Sequence, residues 1–278
     1  MNIHIIDTGY FKLDGGAMFG VVPRVLWSRH VPADENNLCN WAARCLLIED
    51  GSRLILVDTG LGDKQNEKFF SHYYRSGDET LESSIHKAGF HPSEITDVIL
   101  THLHFDHVGG AVKLENGQPV LTFPNAVYWS NEGQWNWATQ PNPREKASFL
   151  PENILPIQES GQLQFIEPGT SPFTHIELVQ VDGHTEKMML PLIEAKGKKF
   201  LFAADLFPSA AHLPLAWVMA YDVRPLLTMD EKKQVLQRAL DEQITLIFEH
   251  DAVTEAATVK MSEKGIVLDT KGKLSDFI

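Results

Sequence analysis

Ten residues constrain this chain more than any other stretch: Thr101-His102-Leu103-His104-Phe105-Asp106-His107-Val108-Gly109-Gly110. Three imidazoles and a carboxylate fall between His102 and His107, directly after the apolar run Val98-Ile99-Leu100. That run predicts a buried strand, so the ligand-rich segment becomes the loop leaving the strand's C-terminal end. His102 and His104 alternate with apolar residues, so an extended chain points both imidazoles the same way. Asp106 and His107 follow where the backbone must turn, which aims their side chains at a second point. Burying four such groups is costly unless a cation takes up their lone pairs and charge. A metal site is the expectation.

The flanking sequence predicts an α/β arrangement. Ala42–Glu49 and Arg53–Asp58 read as the strands of a hairpin turned at Asp50-Gly51-Ser52. The second strand runs into Val57-Asp58-Thr59-Gly60, a carboxylate at a strand end. Glu79–Lys87 has helical spacing and Gly89 is placed to stop it. Asp97–Thr101 follows as a strand. From Asn116 to Gly169 the chain is rich in Pro, Asn and Trp. It is expected to be an irregular insertion or lid, with short helices near Asn131–Ala138 and Arg144–Phe149. Strands resume at Ile176–Val181, Met188–Ile193 and Phe200–Ala204, with Gly197-Lys198 supplying the turn between the last two. Asp230–Asp241 is an amphipathic helix, and Thr245–Phe248 a buried strand ending in Glu249-His250-Asp251. No low-complexity linker or repeat interrupts the chain, so a single domain over residues 1–278 is expected.

Three further strand ends carry metal-capable side chains: His184, Asp205 and His250. A lone strand-end histidine is more often a hydrogen-bonded structural residue. Together with the cluster, however, these give five histidines and two aspartates, enough for two metals with open positions.

His102-x-His104-x-Asp106-His107, with His184 in Gly183-His184-Thr185, then Asp205 and His250, resembles the metallo-β-lactamase-fold hydrolases. Asp58 also matches that superfamily. The resemblance implies an αββα sandwich, two mixed β-sheets flanked by helices. It implies two divalent metal ions, one held by His102, His104 and His184 and the other by Asp106, His107 and His250, with Asp205 bridging and Asp58 orienting the ligands. Zinc suits imidazole and carboxylate donors, and manganese, iron or cobalt accept the same set. A diiron flavoprotein type is disfavoured because it usually presents Glu where this chain has His104. The lactamases with a Cys ligand are disfavoured as well, since neither Cys39 nor Cys45 lies near a ligand position.

Asp14–Pro23 and Ala204–Pro214, running on to Trp217 and Tyr221-Asp222, resemble the N-acyl homoserine lactonases and the related methyl parathion hydrolases. The resemblance implies a lactonase using a metal-bridging hydroxide, with Asp106 as both ligand and proton shuttle. The alternatives are an organophosphate triesterase or arylesterase and, outside catalysis, a metal-dependent sensor. Those relatives often place a Tyr three residues after the bridging Asp; here that position is Pro208. Tyr221 or His212 is the candidate replacement donor, each with a packed core role as the alternative. Met18, Phe19, Val22 and Trp27 form either an apolar wall for an acyl chain or aryl group, or an N-terminal arm packed on the core.

A net charge of −13 argues against a nucleic-acid or anionic-membrane surface and favours a small, neutral, amphiphilic substrate. Cys39 and Cys45 do not form a C-x-x-C pair and are expected to be buried free thiols. No signal peptide and no membrane-spanning run is evident, so the expected setting is cytoplasmic. A homodimer is plausible from the lactonase resemblance.

Overall fold

The computed structural model describes residues 1–278. Eight strands occur up to residue 165: β1 (Asn2–Asp14), β2 (Leu38–Asp50), β3 (Arg53–Val57), β4 (Asp97–Ile99), β5 (Val112–Glu115), β6 (Gln118–Leu121), β7 (Val127–Ser130) and β8 (Leu163–Phe165). Six of them form one mixed sheet in the order β1-β2-β3-β4-β7-β8, and β5 and β6 form a separate ribbon. The hairpin expected around Asp50-Gly51-Ser52 is present, with Asp50 paired to Arg53 and Gly51 at φ 62°. From β3 onward the pairing is parallel, Leu56 beside Val98 and Val98 beside Tyr128. β3 is accordingly a continuous buried apolar run, whereas β7 alternates half-buried and buried residues.

The remaining strands are β9 (Ile176–Val181), β10 (Met188–Ala195), β11 (Lys198–Phe202), β12 (Thr245–Ile247), β13 (Ala256–Ser262) and β14 (Gly265–Gly272). They form a second mixed sheet in the order β14-β13-β12-β11-β10-β9. Lys196 and Gly197, both at positive φ, make the two-residue turn from β10 to β11. Only β11 and β12 pair in parallel, and the Pro225–Asp241 helix provides the crossover they require. That helix begins five residues before its expected start because Pro225 occupies the first turn, where its missing N–H costs nothing.

The chain divides into two compact units. Unit 1 comprises Met1–Gly9, Ala43–His72 and Ser76–Pro172; unit 2 comprises Tyr10–Ala42, Tyr73–Arg75 and Phe173–Ile278. The core of unit 1 is aliphatic, built on Leu47, Leu56, Ile85, Val98, Leu100 and Val108. Cys39 and Cys45 are buried free thiols, as expected. No helix is long and apolar enough to cross a membrane.

Residues 116–169 are not the irregular insertion that their composition suggests. They contain β6, β7 and β8, the latter two belonging to the first sheet, and helices at Glu132–Thr139 and Pro151–Glu159. The Asn116-Gly117 pair, at φ 50° and 77°, turns β5 into β6. A three-residue strand such as β8 leaves too short a pattern for periodicity to reveal. Arg144–Phe149 is not helical either. Asn142 Oδ1 accepts from the backbone N–H groups of Arg144 (2.9 Å) and Glu145 (3.2 Å), which stabilises a local turn in place of a helix.

Candidate metal centre

In unit 1, β4 delivers the ligand loop and β3 delivers its support. β4 ends at Ile99, residues 100–104 carry no regular structure, and Phe105–Val108 closes into one helical turn. The loop can settle against Thr59–Gly62 only because Gly109 and Gly110 lack side chains: a methyl group on either would collide with the backbone carbonyls of Leu61 or Thr59. Thr59 N–H donates to His107 O at 2.7 Å and Gly110 N–H to Gly60 O at 3.1 Å. The glycine pair is therefore part of the ligand motif.

The hydrogen bonds of this half-site orient its side chains. Asp58, wholly buried, accepts from Thr101 N–H at 2.8 Å and from Thr101 Oγ–H at 2.6 Å, and it faces His107 Nδ1 at 3.2 Å. Because Thr101 gives its hydroxyl proton to Asp58, its oxygen accepts from His102 Nδ1–H at 3.1 Å. His104 directs Nε2 toward Glu145 Oε1 at 3.5 Å. Glu145 is itself buried and held through Oε2 by Trp137 Nε1–H at 2.7 Å and Asn142 Nδ2–H at 2.5 Å. His102 Nε2 and His104 Nδ1 meet at 3.0 Å. The rings of His102 and His107 are 3.9 Å apart between centroids, and Asp106 lies beside His107 with 8% exposure.

Unit 2 repeats the logic with ligands far apart in sequence. His184 follows β9, Asp205 follows β11 and His250 follows β12. His184 Nδ1 donates to Asp222 at 2.9 Å, and His250 Nδ1 donates to the Ala42 carbonyl at 2.8 Å. Their Nε2 atoms both face Asp205 at 3.1 Å, one on each carboxylate oxygen. Burial alone would lower the His184 pKa, but Asp205 and Asp222 outweigh it and lift the group to about 10. A field that retains a proton so strongly is one that favours a cation. His102, His107, His184 and His250 thus each have one ring nitrogen hydrogen-bonded to a partner, and His104 turns one toward Glu145. Metal-ligating histidines are oriented in this way. The donor set of imidazole and carboxylate fits divalent ions in both halves.

A model of the metallo-β-lactamase superfamily matches residues 41–250. The chain belongs to that superfamily. A probable metallo-hydrolase of Mycobacterium tuberculosis is 32% identical over 216 residues, 69% of this chain and 67% of that protein. An N-acyl homoserine lactonase of Bacillus cereus is 26% identical over 170 residues, 58% of this chain; the match spans 61% of the lactonase's length. Among solved structures, a probable metal-dependent hydrolase from Staphylococcus aureus superposes with a TM-score of 0.89 at 30% identity, covering 98% of this chain and 96% of that one. A dizinc quorum-quenching lactonase in complex with an N-acyl-homoserine product superposes with a TM-score of 0.79 at 21% identity, covering 98% and 95%. The chain has the metallo-β-lactamase fold and is a metal-dependent hydrolase of that superfamily.

Two sets of residues expected at the site of this superfamily member lie elsewhere. His212 is buried in the core of unit 2: its Nε2–H donates to the Met18 carbonyl at 2.9 Å, and its Nδ1 pairs with Ser209 Oγ at 2.8 Å. Burial pushes its pKa down to about 3, only partly offset by the Met18 bond. It is a neutral, fully satisfied packing residue and not a proton donor. Met18, Phe19 and Trp27 are buried too, in keeping with the packed-arm alternative. Phe19 is stacked between His212 (4.5 Å, 4°) and Trp27 (5.2 Å, 9°). Val22 is half-buried in the turn after Phe19. Pro208, where a Tyr was anticipated, uses its carbonyl to accept from His250 N–H at 3.0 Å. Tyr221 remains 39% exposed next to Asp222. Sequence reasoning missed Asp222 and Glu145, since neither stands at a spacing that relates it to its histidine.

Proposed function

We propose that this hydrolase is a dinuclear lactonase that opens N-acyl homoserine lactones or similar lactones. The observation that supports the dinuclear reading is the convergence of buried ring nitrogens and carboxylate oxygens, His102 with His104 and Asp205 with both His184 and His250. By the ligand pattern of the superfamily, His102, His104 and His184 would hold one ion. Asp106, His107 and His250 would hold the other, and Asp205 would serve both. When bound, divalent ions would supply Lewis acidity toward a carbonyl oxygen and would bring the pKa of water toward 7. Zinc heads the candidates for this donor set.

The chain's own residues supply orientation and proton handling. Asp58, Asp222, Thr101 and the Ala42 carbonyl fix the tautomers of His107, His184, His102 and His250, so ligand nitrogens need no reorganisation during turnover. Asp106 offers a carboxylate oxygen that can take a proton from the attacking water and return it to the leaving alkoxide. Of the two donors anticipated from sequence, Tyr221 is the one with an accessible side chain. The lactone assignment itself draws on the names of the relatives.

The test is a matched panel of kcat/KM values on zinc- or manganese-loaded protein: N-acyl homoserine lactones of several chain lengths, a simple δ-lactone and methyl paraoxon. Lactones should turn over best, and Asp205→Asn should lose about three orders of magnitude or more, the equivalent of several kcal/mol of transition-state stabilisation. A preference for methyl paraoxon would move the enzyme to phosphotriester chemistry. Silence on the whole panel with both metals bound would end the lactonase proposal.

A further inference from the structure

Unit 2 contains a cavity of about 1260 Å³ that no metal-ligand candidate lines. Its floor and walls are apolar, formed by Trp41, Leu213, Trp217, Leu236, Val253 and Ile266. It is larger than the few hundred to about 1,000 Å³ of ordinary small-molecule pockets. Its walls are held in place by the protein itself. Buried Lys232 donates to the carbonyls of Pro214 at 2.8 Å and Trp217 at 2.9 Å, which fixes one side. On another side Asp251 accepts from the backbone N–H groups of Ala210, Val253 and Thr254 at 3.0, 2.9 and 2.7 Å. The His30 ring meets the Trp217 ring edge-on at 5.3 Å. A ligand entering such a preformed space has little protein ordering to offset.

Charge selects the ligand. The lining includes Lys233, Lys264 and Lys271, all solvent-exposed, and none is ion-paired. Asp251 is the single carboxylate in the lining, and its charge is engaged by the three amides. In a chain of net charge −13, this is a local excess of positive charge around an apolar hollow. We infer that this cavity binds a single-chain anionic amphiphile such as a fatty-acyl carboxylate, with the chain among Trp41, Trp217 and Leu236 and the head group at the lysine-bearing rim.

The test is titration of the metal-loaded protein with dodecanoate below its micellar concentration, followed by calorimetry and by the fluorescence of Trp41 and Trp217. Saturable one-to-one binding is expected. The Lys233→Gln/Lys264→Gln/Lys271→Gln variant, which removes the rim's positive charge, should weaken it about fivefold, the scale of a modest exposed charge contact. Dodecanol should bind less tightly and be indifferent to the lysine changes. Val253→Trp, at a position 87% exposed and so tolerant of a large side chain, should fill the mouth and abolish binding while leaving thermal unfolding unchanged. Absence of saturable binding would overturn the proposal, as would equal affinity for dodecanol or binding that survives both variants. Light scattering that shows a dimer broken by Val253→Trp would reassign the cavity to an interface.

Discussion

His184 and His212 lie in the same unit and are equally buried, at 1% exposure each, yet they are driven to opposite charge states. His184 sits between two carboxylates and is lifted to about 10, while His212 sits between a carbonyl, a hydroxyl and the face of Phe19 and falls to about 3. Burial is common to both, so it cannot be what separates a ligand from a packing residue. The neighbours decide. Where a carboxylate faces the free nitrogen, the site retains a proton until a cation displaces it. Where the partners are neutral and both nitrogens are satisfied, the imidazole behaves as a polar aromatic filler.

The sharpest way to break the comparison is to remove each imidazole. His184→Ala should cost at least about 10³-fold in kcat/KM, because a lost ligand forfeits several kcal/mol of charge stabilisation. His212→Gln should leave kcat within a fewfold of the native value. A general acid or base removed from this position would instead lower kcat by about 10²–10⁴. Steady-state kinetics on both variants decide the matter; a large kcat loss in His212→Gln would restore it as a proton donor.

A smaller effect separates a ligand from the group that orients it. Asp222→Asn and Asp58→Asn each keep shape but remove the charge behind His184 or His107. Metal affinity, measured by competition with a chromogenic chelator, should fall about 10–100-fold in each. Glu145→Gln should behave likewise through His104. Unchanged affinity in all three would mean that these carboxylates support the fold and not the ligands. Asp58→Asn is the variant expected to lose stability as well, since Asp58 also receives both donors of Thr101.

What was legible in the sequence follows the same division. The His102–His107 cluster could be read from spacing because its ligands are local, and the strand leading into it was a plain apolar run. His184, Asp205 and His250 were legible only as a pattern spread over strand ends. Asp222 was not legible: it lies 38 residues from the imidazole it orients, and only the loop before the Pro225–Asp241 helix brings it back. Met18, Phe19 and Trp27 stayed ambiguous between a substrate wall and a packed arm because an apolar residue beside a glycine-rich loop looks the same in sequence whether it faces a ligand or the core. The sequence holds no mark that Phe19 will stack on a histidine almost two hundred residues away. In residues 116–169 the Asn-Gly turn was a readable signal, whereas β7 and β8 are too short to show a period.

The finest distinction is in the response to acid. The His212 pKa is depressed in the folded protein to about 3, against about 6.5 in the unfolded chain. The unfolded state therefore binds the proton first, and the stability contributed by neutral His212 is complete above pH 6.5 and lost as pH falls toward 3. At pH 7, His212→Gln should cost about 2 kcal/mol, from the bonds to Met18 and Ser209 together with the ring stack. Between pH 7 and pH 5 the native protein should lose about 2 kcal/mol that the glutamine variant does not, so the difference between them should close. Urea unfolding of both proteins at the two pH values measures this directly. A gap that stays constant with pH would show that His212 is not held neutral by burial, and the contrast with His184 would then rest on the carboxylates alone.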